Sequence, residues 1–304
     1  MFLKQVDFSK NPFWKYLLGS FVIIIFSVIG QIPLTYFLIE AGPVSPGVDP
    51  MEMLRDLDKN LQLFLLLIPF ALGLLGFWLV IRKLHERSLL SVTSSRDKMD
   101  WSRVVYAFLF WGLVSIALIV GDYLFSPESY EWNFNIKSFA LLFIIAVALI
   151  PIQTSLEEYI FRGYLMQGFA GMFKNRWAPL VMTSIIFGGL HLFNPEVEKL
   201  GYGIMVYYIG TGLFLGILTL MDEGIELALG FHAANNLFTA LLVTSSWTAF
   251  QTESILIDTS EPSLGAELII SLLVLYPIFL FFMSKKYGWK GVGQEQNRLK
   301  SIVG

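Results

Sequence analysis

Three short clusters in this sequence carry side chains that could do chemistry. They are Glu157-Glu158-Tyr159-Ile160-Phe161-Arg162, Phe187-Gly188-Gly189-Leu190-His191 and His232-Ala233-Ala234-Asn235-Asn236. Each lies inside or at the end of a strongly apolar segment. Ionisable groups at such depth are expensive and usually line a cavity in which they perform a function. Residues four apart share one helix face, so Glu158 and Arg162 are expected to pair. Glu157 points about 100° away at ~3.6 residues per turn and is left less compensated, as a general base would be. His232 and Asn236 share a face by the same spacing, and so do Phe187 and His191. A carboxylate base, an imidazole to share the proton, and amide or imidazole donors for an oxyanion would make a water-activating hydrolytic site.

Each cluster also has a plainer reading. Glu157, Glu158 and Arg162 could be an ion cluster at the membrane edge. His191 alone could be a helix-packing hydrogen bonder, and His232 with Asn236 could be interhelical glue, which membrane helices commonly use. Their grouping favours chemistry. Three separate helices would each contribute a polar face, and two of the three histidines fall within ~75 residues of the only intramembrane glutamate pair. The third histidine, His85, stands beside Arg82, Lys83, Glu86 and Arg87 and is expected to be solvated.

The elements that must hold these groups are apolar spans. The chain of 304 residues is 55% hydrophobic and 15% charged, with mean hydropathy +0.64. A soluble chain carries about 25% charged residues, so the deficit and several runs near 20 residues indicate an all-α integral membrane protein. Eight transmembrane helices are expected, at about 17–39 (with a kink at Pro33), 61–81, 104–125, 138–166, 177–193, 202–221, 225–247 and 264–283. The helix bearing the glutamate pair is expected to run on past Pro151. A short helix over 52–59 outside the bilayer and a polar loop over 248–263 complete the pattern. The first run is longer than a signal-peptide core and is expected to stay as a span. Gly212 and Gly216 form a small-xxx-small pair that permits close helix approach. Residues 1–136 then hold the first three helices and a basic loop, 137–245 a catalytic core, and 246–304 the last helix and a basic tail.

An even number of spans puts both ends on one side. Sixteen of the 21 Lys and Arg residues fall in loops on that side and four on the other, with Arg162 inside. By the positive-inside rule both termini are expected in the cytoplasm, of a bacterial inner or cell membrane. The net charge of -3 and the lack of a basic stripe argue against a nucleic-acid partner. Cysteine is absent, which excludes disulfides, thiolate zinc sites and a cysteine nucleophile. Ser155 has no histidine at hydrogen-bonding spacing.

In this order, inside hydrophobic helices, Glu157-Glu158-x-x-x-Arg162, Phe187-x-x-x-His191 and His232-x-x-x-Asn236 resemble the three motifs of the CPBP intramembrane protease family. That family includes the type II CAAX prenyl proteases and the Abi-type bacteriocin-processing and immunity proteins. The resemblance covers roughly residues 137–245. It implies endoproteolysis near the cytoplasmic face, with a membrane-associated protein or peptide as substrate. It also implies Glu157 as the base on the attacking water, His191 sharing that water, Glu158 and Arg162 ordering the base, and His232 with Asn236 stabilising the oxyanion.

Glu157, His191 and His232 could alternatively ligate zinc. The sequence lacks H-E-x-x-H, and Asn236 and Arg162 suit a metal-free arrangement better, so no cofactor is expected. Two other functions are compatible with the residues: a transporter or channel with a proton relay through Glu157 and His191, and a non-catalytic scaffold or immunity factor. Depth sets a geometric condition. Counted from the cytoplasmic helix starts, His232 is about 10 Å in and His191 about 21 Å, while Glu157 is expected near the inner end of its span. The three meet only if the fifth span begins below the membrane surface or the helices tilt.

Overall fold

The computed structural model describes residues 2–40 and 57–289. Among these, eight helical segments of more than ten residues build the bundle: α1 (Phe13–Glu40), α2 (Lys59–Leu84), α3 (Trp101–Phe125), α4 (Ile136–Phe173), α5 (Trp177–Gly189), α6 (Tyr202–Asp222), α7 (Glu226–Leu242) and α8 (Leu268–Tyr287). The short helix expected over 52–59 falls largely outside the described residues. Aspartate or asparagine caps start three of the helices. Asp58 accepts from Leu61 N at 3.0 Å, Asp100 from Ser102 N at 3.1 Å, and Asn135 from Lys137 N at 3.0 Å, satisfying amides that the helix itself leaves free.

Six of the eight segments are long and apolar enough to cross a membrane, and the chain is an integral membrane protein. The other two are α5, which ends two residues before His191, and α7, which carries His232. Helix α5 has 13 residues, about 20 Å at 1.5 Å per residue, short of the ~30 Å hydrocarbon core. Helix α7 has 17 residues, and Glu226 through Ala234 are all buried. It runs through the centre of the bundle, packed chiefly against α3 and α4, and Gly230 lets it lie against the backbone of Val104. Surface Leu, Ile, Val and Phe cover α1, α3 and α8, the lipid side of the bundle. Trp14, Trp101 and Trp177, all more than half exposed, stand at the starts of α1, α3 and α5, as interfacial tryptophans do.

The spans differ from expectation at the following three places. The break in α1 falls at Gln31, two residues before Pro33, between Phe13–Gly30 and Ile32–Glu40. The fifth span ends as a helix at Gly189, because Leu190–Asn194 turn over, His191 N bonding Gly188 O and Asn194 N bonding His191 O. The seventh span ends at Leu242, and Val243–Ser245 instead form a strand. That strand, β2, belongs to a three-stranded sheet with β1 (Tyr130–Trp132) and β3 (Leu256–Asp258), in order β1-β3-β2. The β1–β3 pair is antiparallel and the β2–β3 pair parallel. These short segments have no hydropathy signature, and β1 pairs with a strand more than 120 residues away.

The sheet ties the α3–α4 and α7–α8 connections together at one end of the bundle. At the other end the described ends of the chain meet the α2–α3 and α6–α7 connections. Gln5 Nε2 donates to Ser94 O at 3.0 Å, Ser95 N to Glu223 O at 2.9 Å, and Trp289 Nε1 to Asp222 Oδ1 at 3.0 Å. Arg96 bridges Asp222 and Glu226 at 3.0 Å each, and Arg103 also reaches Asp222. Both described ends therefore lie on one side, as an even number of crossings requires.

His85 is buried, contrary to its expected solvation. Its Nδ1 lies 2.7 Å from Asn11 Oδ1 and its Nε2 2.8 Å from the Tyr164 hydroxyl. A polar loop composition hid this, because both partners are more than 70 residues away. Burial, with Arg87 and Lys15 nearby, pushes the imidazole down to about 4 from its usual 6.5. The unfolded chain then takes up the proton first, so stability is expected to fall as the pH drops from about 6.5 towards 4. Melting temperatures of the detergent-solubilised protein measured across that window, with His85→Gln showing a shallower slope, check this.

Candidate active site

Helix α4 supplies the first cluster. It is unbroken for 38 residues, although Pro151 lies inside it, and it loosens to a π-helix over Tyr159–Leu165. Such π segments are rare and frequently sit at functional sites. Here it begins at the residue after the glutamate pair. Phe173 lies sixteen residues beyond Glu157, about 24 Å along the helix. Glu157 is therefore well inside the bundle rather than near the inner end of its span, at a depth comparable with that of His191. Gly168 and Gly171 lie inside this helix, which ends only at Phe173.

The one-turn spacing of Glu158 and Arg162 produces a buried ion pair. Arg162 Nη1 donates to Glu158 Oε1 at 2.9 Å, with side-chain exposures of 1% and 0%. Arg162 Nη2 reaches Gly212 O at 3.3 Å, and the guanidinium sits 4.4 Å from the centre of the Phe187 ring. The first contact depends on the close approach of α6. A Cβ on Gly212 would stand 3.0 Å from Ser184 Cα of α5, so the small-residue pair does bring these helices together.

Helix α7 brings the third cluster onto the same carboxylates. His232 Nδ1 is 2.7 Å from Glu158 Oε1, and its Nε2 is 3.6 Å from Glu157 Oε2. Since Glu158 Oε1 is an acceptor, Nδ1 carries the proton and Nε2 faces the second glutamate. Arg162, Glu158 and His232 thus form a line in which each group orients the next. Among the described residues, Glu158 Oε2 is buried with no hydrogen-bond partner. Glu157 is the more open of the pair, at 15% exposure. Its Oε1 accepts from Gln153 Nε2 at 2.6 Å, and Gln153 Oε1 accepts from Asn236 Nδ2 at 3.2 Å.

The structure therefore brings together Glu157, Glu158, Arg162, His232 and Asn236. His191 is held apart from their hydrogen bonds. Its Nδ1 lies 2.8 Å from its own Phe187 O, which fixes Nδ1 as the donor and leaves Nε2 outward. Its ring stacks on Tyr208, with centroids 4.4 Å apart. Phe187 is the bridge to the rest, 4.8 Å from His191 and 6.2 Å from His232 between ring centroids. Of the two glycines before His191, Gly188 packs on Ile209 of α6 and Gly189 faces open space, so only one serves helix approach. Among the described residues, no three His, Asp or Glu side chains are gathered closely enough to hold a metal ion, Glu157, His191 and His232 included.

Sequence reading did not pick out Gln153, Trp111 or Tyr208. Gln153 is one turn before Glu157, so the same spacing rule that paired Glu158 with Arg162 could have found it. Asn235 points to Trp111 of α3, whose indole N–H donates to Asn235 Oδ1 at 3.1 Å. Nothing local in the sequence signals that contact or the stacking of Tyr208.

Comparison with known proteins follows the same residues. The family model of Rce1-like proteins, type II CAAX prenyl endopeptidases, matches residues 136–238, which hold all three clusters. The chain is 32% identical over 249 residues to the uncharacterized protein YyaK of Bacillus subtilis (strain 168), a match covering 80% of this chain and 82% of that relative. No solved structure matches. With its three motifs inside the matched segment and a relative similar over most of both lengths, the chain belongs to the CPBP intramembrane protease family, through an Rce1-like domain of the type II CAAX prenyl endopeptidase kind.

Proposed function

We propose that this protein is an intramembrane endopeptidase in which Glu157 activates water to hydrolyse a peptide bond. The observation that carries the reading is the division of labour between the two carboxylates. Glu158 is sealed in by Arg162 and His232, while Glu157, at 15% exposure, keeps one oxygen tied to Gln153 and has the other beside His232. A base needs such a free oxygen within reach of the proton it removes.

In this reading Glu157 Oε2 takes a proton from water as the water oxygen bonds to the substrate carbonyl carbon. The charge that develops on the carbonyl oxygen is met by the free N–H of Asn236 and by His232, for which Nε2 must carry a proton in addition to the one that Nδ1 gives to Glu158. The C–N bond then breaks, and the proton on Glu157 passes to the leaving amine. His191 Nε2, free of its own backbone, shares the water. No metal takes part. The substrate is a membrane-associated protein or peptide, with CAAX-type or bacteriocin-related processing as the class. The sixteen-to-four distribution of Lys and Arg supports a cytoplasmic location for both termini in a bacterial membrane.

Peptidomics of native membranes carrying the wild type or Glu157→Ala tests the reading. Cleavage products present only with the wild type are expected, and they should persist after exhaustive chelation. Identical peptide populations would refute proteolysis. Loss of cleavage on chelation, restored by zinc, would refute the metal-free chemistry.

A further inference from the structure

Four side chains from three helices lie in a row that ends on Glu157. Trp111 Nε1 donates to Asn235 Oδ1 at 3.1 Å, and Asn235 Nδ2 to Asn236 Oδ1 at 3.2 Å. Asn236 Nδ2 donates to Gln153 Oε1 at 3.2 Å, and Gln153 Nε2 to Glu157 Oε1 at 2.6 Å. An amide can be turned either way, since its O and NH2 ends look alike. Here the ends of the row remove that freedom. Indole N–H can only donate, and an ionised carboxylate can only accept. With both ends set, each of the three amides has one orientation that leaves no clash of donor with donor or acceptor with acceptor.

We infer that Trp111, Asn235, Asn236 and Gln153 form a one-way hydrogen-bond relay that positions the Glu157 carboxylate, making Trp111, Asn235 and Gln153 positioning residues for the base. The inference rests on the proteolytic reading for its consequence, but the relay itself is independent of it. Trp111 and Gln153, at 4% exposure each, are buried at the row's two ends. Trp111 is further locked by Phe231, with ring centroids 4.3 Å apart, and by Phe279 at 5.9 Å. The rigid packing of α3 against α7 is thereby transmitted to a carboxylate on α4. Two results follow at the site. Glu157 Oε1 is occupied, so Oε2 is the oxygen presented to water. Each amide nitrogen has a second hydrogen, and the one on Asn236 is aimed by the relay rather than left to rotate. Hydrogen bonds in such a chain polarise one another by roughly 10–30% per bond, so a change at one end is felt at the other.

The test uses the full-length protein in detergent with its tryptophan indoles labelled with nitrogen-15. Trp111→Phe keeps the aromatic packing and identifies the Trp111 indole signal by its disappearance. Gln153→Met removes the link next to Glu157 and leaves the Trp111–Asn235 contact in place. A shift of the Trp111 indole signal in Gln153→Met, at an unchanged melting temperature, is the expected result. An unmoved signal would overturn the relay. Should Gln153→Met fail to fold, Gln153→Asn, one methylene too short to span both partners, takes its place with the same criterion. In cleavage assays, Trp111→Phe and Gln153→Met are each expected to lower kcat by about tenfold with KM unchanged, and the double variant to be no slower than the slower single one, since both break one chain. Losses that multiply, or that appear in KM, would overturn the positioning role. A wild type that cleaves nothing would refute the proteolytic reading, and the indole shift would still decide the relay.

Discussion

Replacing Glu157 with glutamine is expected to slow turnover by roughly a hundred- to ten-thousandfold, the usual worth of a general base, while the protein melts as the wild type does. The substitution is close to isosteric. The glutamine carbonyl can still accept from Gln153 Nε2, the 2.6 Å contact that holds Oε1. The side chain is partly open, at 15% exposure, and its nearest charged partner, His232 Nε2, is 3.6 Å away, so it is not sealed into a tight ion pair as Glu158 is. What disappears is the lone pair of a basic oxygen facing His232. Purified-enzyme kinetics on a cleaved peptide, paired with a thermal melt, read both quantities. Full activity in Glu157→Gln would remove the base from this residue. Loss of activity together with a large drop in melting temperature would instead make Glu157 a structural group.

Arg162→Met is expected to cost about 3–5 kcal/mol of stability, the penalty for leaving a buried charge without its partner. Arg162 and Glu158 are 1% and 0% exposed, so water cannot rescue the abandoned carboxylate. Among the described residues Glu158 would keep His232 Nδ1, at 2.7 Å, and its Oε2 has no hydrogen-bond partner there. The companion variant separates stability from function. Joint replacement, Arg162→Met with Glu158→Leu, removes both charges and fills similar volume, and should recover much of the loss, because buried pairs replaced together by apolar groups are often nearly neutral. It should not recover cleavage, since His232 would lose the acceptor that fixes its Nδ1 proton. Chemical denaturation in micelles measures the first effect and peptide cleavage the second. A double variant as unstable as Arg162→Met alone would show that packing, not the unpaired charge, sets the cost.

Much of the site was legible before the fold was known. The Glu158–Arg162 pair follows from helical periodicity, which depends only on residues one turn apart. The separation of Glu157 from Glu158 follows from the same geometry. His191 shows the limit of that logic. Its spacing from Phe187 is helical, but α5 ends two residues earlier, and the imidazole turns back on its own Phe187 carbonyl instead of joining Glu157. His85 shows a second limit. A loop rich in charge reads as solvated, yet Asn11 and Tyr164 enclose the imidazole from opposite sides.

Sequence alone determined what local rules govern: the apolar spans, set by the cost of an exposed backbone in lipid, and the face shared by each motif pair. Tertiary structure alone decided which faces meet. That His232 would take Glu158 as its partner, that Gln153 would stand between Glu157 and Asn236, and that Trp111 would anchor Asn235 all depend on the packing of α3, α4 and α7. Most of these contacts join residues 74 to 124 positions apart. Their geometry comes from how closely small residues let the helices approach, and no one-turn pattern in the chain encodes that distance.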